Sequence, residues 1–323
     1  MPRSATRARP GRDRASLYQE ITDKIIAELE AGRVPWAQPW GTTAAKASLA
    51  MPKNAATQRR YSGINVLILW GAVIERGFSG QSWLTFRQAL GLGGHVRKGE
   101  TGTTVVYADR FVPDEERRRA ERDGDEPGAI PFLKRFTVFN TDQCEGLPAE
   151  LSTTPPPLAE GLILPQAEAL IAATAADFRI GGERAFYSPS HDFIQVPRPD
   201  AYFEPINWHR TALHELGHWS GHPSRLGRDL SGGFGSALYA KEELCAEMTS
   251  AFVCASLGIV PTVRHADYIG SWLEVLRDDD RAIVRAASAA SAASKAADYL
   301  LAFRPIPDEP VDMAVDEDER EAA

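Results

Sequence analysis

Residues 213–218 read LHELGH. On an α-helix, positions i and i+4 lie one turn apart on the same face. His214 and His218 can therefore aim two imidazoles at one cation. Glu215 stands where it can hold and deprotonate a water that the cation activates. Chance supplies an HExxH in a chain of this length and composition only roughly 0.01 times, so the match points to a metal centre. Gly217 points the same way. A glycine inside a helix costs about 1 kcal/mol against alanine, a cost that close approach of a second helix explains.

A centre that does chemistry needs a third protein ligand. The stretch EELCAE (242–247) offers one. Glu243 and Glu247 are four apart on a helix that otherwise reads as buried, beside Leu244, Met248, Ala251 and Phe252. One carboxylate on the ion and one hydrogen-bonded to a ligand histidine would account for two acids there. Glu243 is assigned to the ion and Glu247 to the supporting position, with the reverse assignment open. The competing reading makes both glutamates solvent-facing. His209 lies five residues before His214, off the shared face, and is read as structural. His222 is an alternative third ligand. His191 and Asp192 fall in a strand region of the kind that accepts a peptide as an added neighbouring strand. The expected cofactor is one Zn2+ per chain, with Mn2+ or another divalent ion also compatible.

A second constellation is basic and aromatic. The chain of 323 residues carries a net charge of −8, but this hides a division. Residues 1–112 hold 16 Lys and Arg against 8 Asp and Glu, a balance of +8; the remainder carries −16. A basic first third suggests a polyanionic partner there. Single-stranded nucleic acid is bound by cations on phosphates and by rings against bases. The candidates are Trp36, Trp40, Lys53, Arg59, Arg60, Tyr61, Asn65, Arg97 and Lys98, in the loops VPWAQPW (34–40), NAATQRRYSGIN (54–65) and VRKGETG (96–102). Trp83 and Tyr107 suit core and surface equally.

These residues need elements to position them. A capping-box pattern at Ser16 and Gln19 and a stripe of Leu17, Ile21, Ile25 and Leu29 predict a helix over 16–31. Further helices are expected at 64–76 and 85–90, and strands at 103–112 and 132–139 around a charged insertion, 113–131. TTPPPLAE, within the stretch 150–160, is a stiff linker and sets the boundary between two units, 16–150 and 160–303, each large enough for its own core. Beyond it, a helix at 164–176, two short strands within 185–196, and helices at 206–220, 239–257, 265–277 and 281–303 follow. Residues 1–15 and 304–323 are expected to be disordered.

Three cysteines without CxxC spacing exclude a cysteine metal site and a disulfide framework, and indicate a reducing compartment. Cys245 and Cys254 are expected on one buried helix. No apolar run approaches the ~20 residues of a membrane span. The basic start has no apolar stretch behind it, so it is not a secretory signal. The expected location is cytoplasmic.

The order of LYQEITDKIIAELEAGRVPWAQPW, NAATQRRYSGINVLILW, WLTFRQALGLGGHVRKGETGTTVVY, FTVFNTDQCEGLP, HRTALHELGHWSGHPSRLGR and YAKEELCAEMTSAF resembles the ArdC-type antirestriction proteins of conjugative plasmids over most of residues 17–258. The resemblance implies an α+β chain of two domains: a small α+β domain that binds single-stranded DNA, then a mostly helical zincin-like metallopeptidase domain with a small sheet. It implies a metal held by His214, His218 and a glutamate of EELCAE, and protection of incoming plasmid DNA during conjugation. The pattern is also similar to thermolysin-like and ImmA-like peptidases. There the ligand glutamate is followed four residues later by a polar residue behind the site, which supports Glu243 as ligand and Glu247 behind it. An unidentified protein target, such as host restriction machinery, is the implied substrate. Two other readings stand beside this one. In one, a single-stranded-DNA-binding shield carries a structural or silent metal. In the other, a peptidase has an N-terminal unit that recognises protein.

Overall fold

The computed structural model describes residues 50–111, 130–152, 160–233, 235–259 and 282–304, with Ala27, Glu30, Arg118, Arg119 and Arg122 besides. The helix expected at 16–31 (those two residues apart), the Trp36–Trp40 loop, most of the insertion, the linker prolines, the helix expected at 265–277 and the tail lie outside the described residues.

The N-terminal unit is built on a four-stranded sheet of β1 (Lys53–Asn54), β2 (Ser82–Thr85), β4 (Thr103–Phe111) and β5 (Ile130–Asn140), ordered β1-β2-β5-β4. The long β4–β5 ladder is antiparallel, from Thr103 opposite Val138 to Phe111 opposite Ile130. Its Val, Thr and aromatic content favours a pleated, half-buried surface. Helix α1 (Ile64–Arg76) buries Ile64, Val66, Leu67, Leu69, Trp70, Ala72 and Val73. Gly77 ends it in a left-handed conformation, φ 65°, which glycine adopts without steric cost. A short helix α2 (Phe86–Gly91) starts with a reciprocal capping box between Thr85 and Gln88. Strands β3 (His95–Val96) and β6 (Cys144–Glu145) form a small second ladder, and a one-turn helix α3 (Ala149–Ser152) closes the unit.

In the C-terminal unit, β7 (Asp177–Ile180), β8 (Phe186–Ser188) and β9 (Phe193–Val196) make a sheet ordered β7-β9-β8, with β7 parallel and β8 antiparallel to β9. The helices among its described residues are α4 (Glu160–Ala173), α5 (Pro205–Trp219), α6 (Ala237–Leu257) and α7 (Ala282–Leu301). β7 is a strand the sequence does not announce, because DFRI is only four residues long and follows directly on the expected helix. Pro205 opens α5 at the position where a missing N–H costs nothing. The Ser236 hydroxyl caps α6, and a left-handed Gly258 ends it.

The two units share most of their buried apolar side chains in one cluster, where the sequence reading gave each a core of its own. A smaller cluster of Ala55, Leu84 and Ala89 belongs to the N-terminal unit alone. Trp70 of α1 is fully buried with its ring edge against Phe252 of α6, centroids 5.7 Å apart. The Gly63 N–H donates to Ser294 Oγ of α7 at 2.7 Å. Ala289, Ala290, Ala293, Ala296 and Ala297 are buried along α7. These small side chains let neighbouring elements approach closely, which the alanine-rich sequence shows only as helix propensity.

Candidate metal centre

Helix α5 carries His214 and His218 on one face, their rings 4.9 Å apart at 81° to each other. Gly217 lies where α5 meets α6. A Cβ there would sit 3.1 Å from Ala246 Cα and 3.2 Å from its carbonyl oxygen. The helix approach inferred from that glycine is present, and it brings the EELCAE turn over the histidines.

Both Glu243 and Glu247 are buried, 6% and 4% exposed, so neither is a solvent-facing glutamate. Glu243 faces both rings: its Oε2 lies 3.5 Å from His214 Nε2 and its Oε1 lies 3.6 Å from His218 Nε2. One ligand atom from each of the three falls within 4.8 Å of the others. Tetrahedral ligands at about 2.0–2.1 Å from a first-row ion stand about 3.3–3.4 Å apart. The observed spacings are close to that edge length, and Glu243 Oε2 is buried without a hydrogen bond. The donor set therefore fits a divalent ion. Glu247 Oε1 lies on the other nitrogen of His214, 3.7 Å from Nδ1. Glu215, next to His214, is buried at 4% exposure.

Glu242 is the residue that sequence reading missed. Its Oε1 is 3.2 Å from His218 Nδ1, and Arg228 grips both its oxygens at 2.7 and 3.0 Å. Its place directly before Glu243 was the available signal. Burial disfavours the His218 imidazolium, but the Glu242 and Glu243 carboxylates outweigh this and raise its pKa to about 10. Burial likewise opposes ionisation of Glu243, and the two histidines hold its carboxyl well below the usual range.

His222 stands apart from this cluster, its Nδ1 2.7 Å from Ser224 Oγ. His209 lies with Nδ1 3.0 Å from the Pro205 carbonyl and Nε2 3.4 Å from Glu168. Asp192 accepts from Tyr187 Oη at 2.8 Å and from both terminal nitrogens of Arg225. The Arg225 hydrogen bond, ahead of the opposing effect of burial, lowers its pKa. Arg225 also packs 3.9 Å over the Trp219 ring.

The basic candidates fall into two groups. Lys53, Arg59, Arg60 and Tyr61 are gathered by a tight turn. In it Asn54 Oδ1 accepts from the Ala56 and Thr57 N–H groups, and Lys53 bridges Arg60. Arg59 and Arg60 are exposed, whereas Tyr61 is half-buried against the shared core. Arg60 Nη1 reaches Ser256 Oγ of α6 at 3.4 Å. Arg97 and Lys98 stand on another turn, after β3, where Arg97 pairs with Glu100 at 2.7 Å. Asn65 has both amide atoms on the backbone of Val106, at 2.7 and 2.9 Å, where it clasps the outer edge of β4. Trp36 and Trp40 lie outside the described residues. Trp83 is fully buried. Tyr107 is 50% exposed and meets Phe136, 44% exposed, edge to face at 6.5 Å. Phe136 was not singled out by sequence, because a strand phenylalanine more often faces a core.

A family model described as the N-terminal domain of anti-restriction factor ArdC matches residues 15–139, and one described as a zincin-like metallopeptidase matches residues 165–289. Two crystal structures of the antirestriction ArdC protein from the R388 plasmid, one metal-free and one Mn(II)-bound, align with TM-score 0.72. They are 40% and 39% identical, cover 89% of this chain, and are themselves covered to 97% and 98%. The protein y4eC of Sinorhizobium fredii is 40% identical over 280 residues, 85% of this chain and 89% of its own length. Two DNA primases TraC of Escherichia coli are 38% and 39% identical over 88% of this chain. The chain spans only 27% and 20% of the length of these primases. Among the described residues no helix is long and apolar enough to cross a membrane.

Proposed function

The chain belongs to the ArdC-type antirestriction family, and from that premise we propose that it binds single-stranded DNA through residues 16–150 and cleaves a protein partner at a divalent-metal centre within residues 160–303, protecting incoming plasmid DNA during conjugation. The convergence of His214 Nε2, His218 Nε2 and both Glu243 oxygens beside a buried Glu215 carries this reading.

His214, His218 and Glu243 would hold the ion, and Glu247 and Glu242 would orient the two rings from behind. A bound divalent ion supplies Lewis acidity, which lowers the pKa of a water and polarises a peptide carbonyl. The donor set suits zinc, and the Mn(II)-bound relative supports manganese equally. The Glu215 carboxylate accepts a proton from the attacking water and passes it to the departing amine nitrogen. In the N-terminal unit, Lys53, Arg59, Arg60, Arg97 and Lys98 supply phosphate contacts, and exposed rings such as Tyr107 and Phe136 supply faces for bases.

The test is Glu215→Gln in the full chain. It should keep metal and DNA binding and lose both peptide hydrolysis and antirestriction. Antirestriction that survives intact would leave DNA shielding as the function. DNA affinity should fall steeply with salt and prefer single strands; a salt-independent partner would point to protein recognition instead.

A further inference from the structure

The loop that follows the metal helix returns a buried arginine beneath it. The Arg228 side chain is 12% exposed, and every nitrogen of its guanidinium is engaged. Nε donates to Glu242 Oε2 at 3.0 Å and Nη2 to Glu242 Oε1 at 2.7 Å, a two-point fork onto one carboxylate. Nη2 also donates to the Gly217 carbonyl at 2.6 Å, and Nη1 to Ser220 Oγ at 2.9 Å. Ser220 Oγ in turn donates to the same Gly217 carbonyl at 2.6 Å. One planar group thus ties the last turn of α5, which carries His218, to Glu242 of α6. The same Glu242 oxygen that receives Nη2 lies 3.2 Å from His218 Nδ1.

Gly221 is shaped around this arginine. A Cβ there would sit 2.8 Å from Arg228 Nη2, 2.9 Å from its Cζ and 3.0 Å from the His218 carbonyl oxygen. A side chain normally yields to such a contact by moving its far end. This one is pinned at four acceptor atoms and can yield only by leaving them. The loop is fixed from its other side as well, because the Arg228 N–H donates to the Gly221 carbonyl at 2.8 Å.

We propose that Arg228 is a positioning residue for the metal centre: by fixing Glu242 it fixes the His218 ring, and so determines how tightly a divalent ion is held. The inference rests on the metal reading above. A lysine could keep the charge but not the planar fork, so the geometry of the guanidinium is the operative property.

The experiment titrates metal-free full-length protein with Zn2+ against a chromophoric chelator, for the wild type, R228M, R228K, G221A, E242Q and the R228M/E242Q double variant. The visible spectrum of the Co2+-loaded forms is recorded alongside. Partners behind a metal ligand typically change affinity by about 10–100-fold, and a loss of this size is expected for R228M. R228K should fall between R228M and wild type, and G221A should weaken binding although it leaves every charge in place. R228M should add little in the E242Q background, because both act through one carboxylate, and the Co2+ spectrum should shift in each weakened variant. Denaturant unfolding of the metal-free forms identifies any variant that fails to fold; if R228M fails, R228K and G221A decide on the same criteria. Wild-type affinity and an unchanged Co2+ spectrum in folded R228 variants would overturn the inference and leave the metal site standing. Independent, multiplying effects of R228M and E242Q would also overturn it. A wild type that binds no ion would remove the metal reading itself.

Discussion

Replacing Gly217 by alanine sets a methyl group against the backbone of α6. The added Cβ would meet Ala246 at 3.1 Å from Cα, 3.2 Å from the carbonyl oxygen and 3.3 Å from Cβ. Two effects oppose each other. Alanine is the better helix former by about 0.8–1.0 kcal/mol. Ordinary carbon contacts need about 3.5–4.0 Å, so the helices must part by roughly 0.3–0.5 Å. The nearest atoms are backbone, and no rotamer change relieves them. Overpacking of this kind costs about 1–3 kcal/mol, so the expected net effect is a loss of about 0–2 kcal/mol. The same parting carries Glu243 away from His214 and His218, whose 3.5 and 3.6 Å spacings already sit slightly wide of a tetrahedral edge. Metal affinity should therefore fall even where the fold loses little. Denaturant unfolding of the metal-free protein gives the first quantity and chelator competition the second. A variant stabilised by the full helix-propensity gain, with unchanged metal affinity, would refute the reasoning that the helices are in contact there.

Trp70→Ala should cost about 3–5 kcal/mol, as for other buried tryptophans. Because Trp70 packs on Phe252 of α6, probes in the N-terminal and C-terminal units should unfold in one transition; two separated transitions would contradict the shared core. His218 gives a pH dependence to the metal-free fold. Its folded pKa of about 10 lies above an unfolded value near 6.5, so its contribution is complete below that value and lost as pH rises through about 10. Stability of the metal-free protein should decline between these limits, and metal uptake at neutral pH should release about one proton, read from buffers of different ionisation enthalpy. Burial pushes the Cys245 and Cys254 thiols up to about 12, so a thiol reagent at neutral pH should leave both unmodified until the protein is unfolded.

Much of this was legible in the sequence where period and end signals agree. The helix expected at 206–220 is Pro205–Trp219, and that expected at 239–257 is Ala237–Leu257. The glycine in HELGH announced a helix contact that the structure contains. Less legible was anything set by a distant partner. Glu242 looks like an ordinary helix glutamate until Arg228, fourteen residues earlier, turns back onto it. Asn65, at the start of a helix in a basic stretch, reads as a candidate DNA contact. Its pairing with Val106 depends on β4 being an edge strand, which strand propensity does not reveal. The linker prolines mark a boundary in the chain, and chain length allows each unit its own core, but neither shows what packs across the boundary. Phe136 and Tyr107 show the same limit: alternation along β4 and β5 predicts which face they share, not that this end of the face is left open to solvent.

The most direct test of the account is metal stoichiometry in the purified full chain, with Glu243→Ala and Glu247→Ala beside the wild type. About one divalent ion per wild-type chain is expected, with its loss in Glu243→Ala and its retention at reduced affinity in Glu247→Ala. A wild type that takes up no ion, or an ion lost with Glu247 and kept without Glu243, would contradict it.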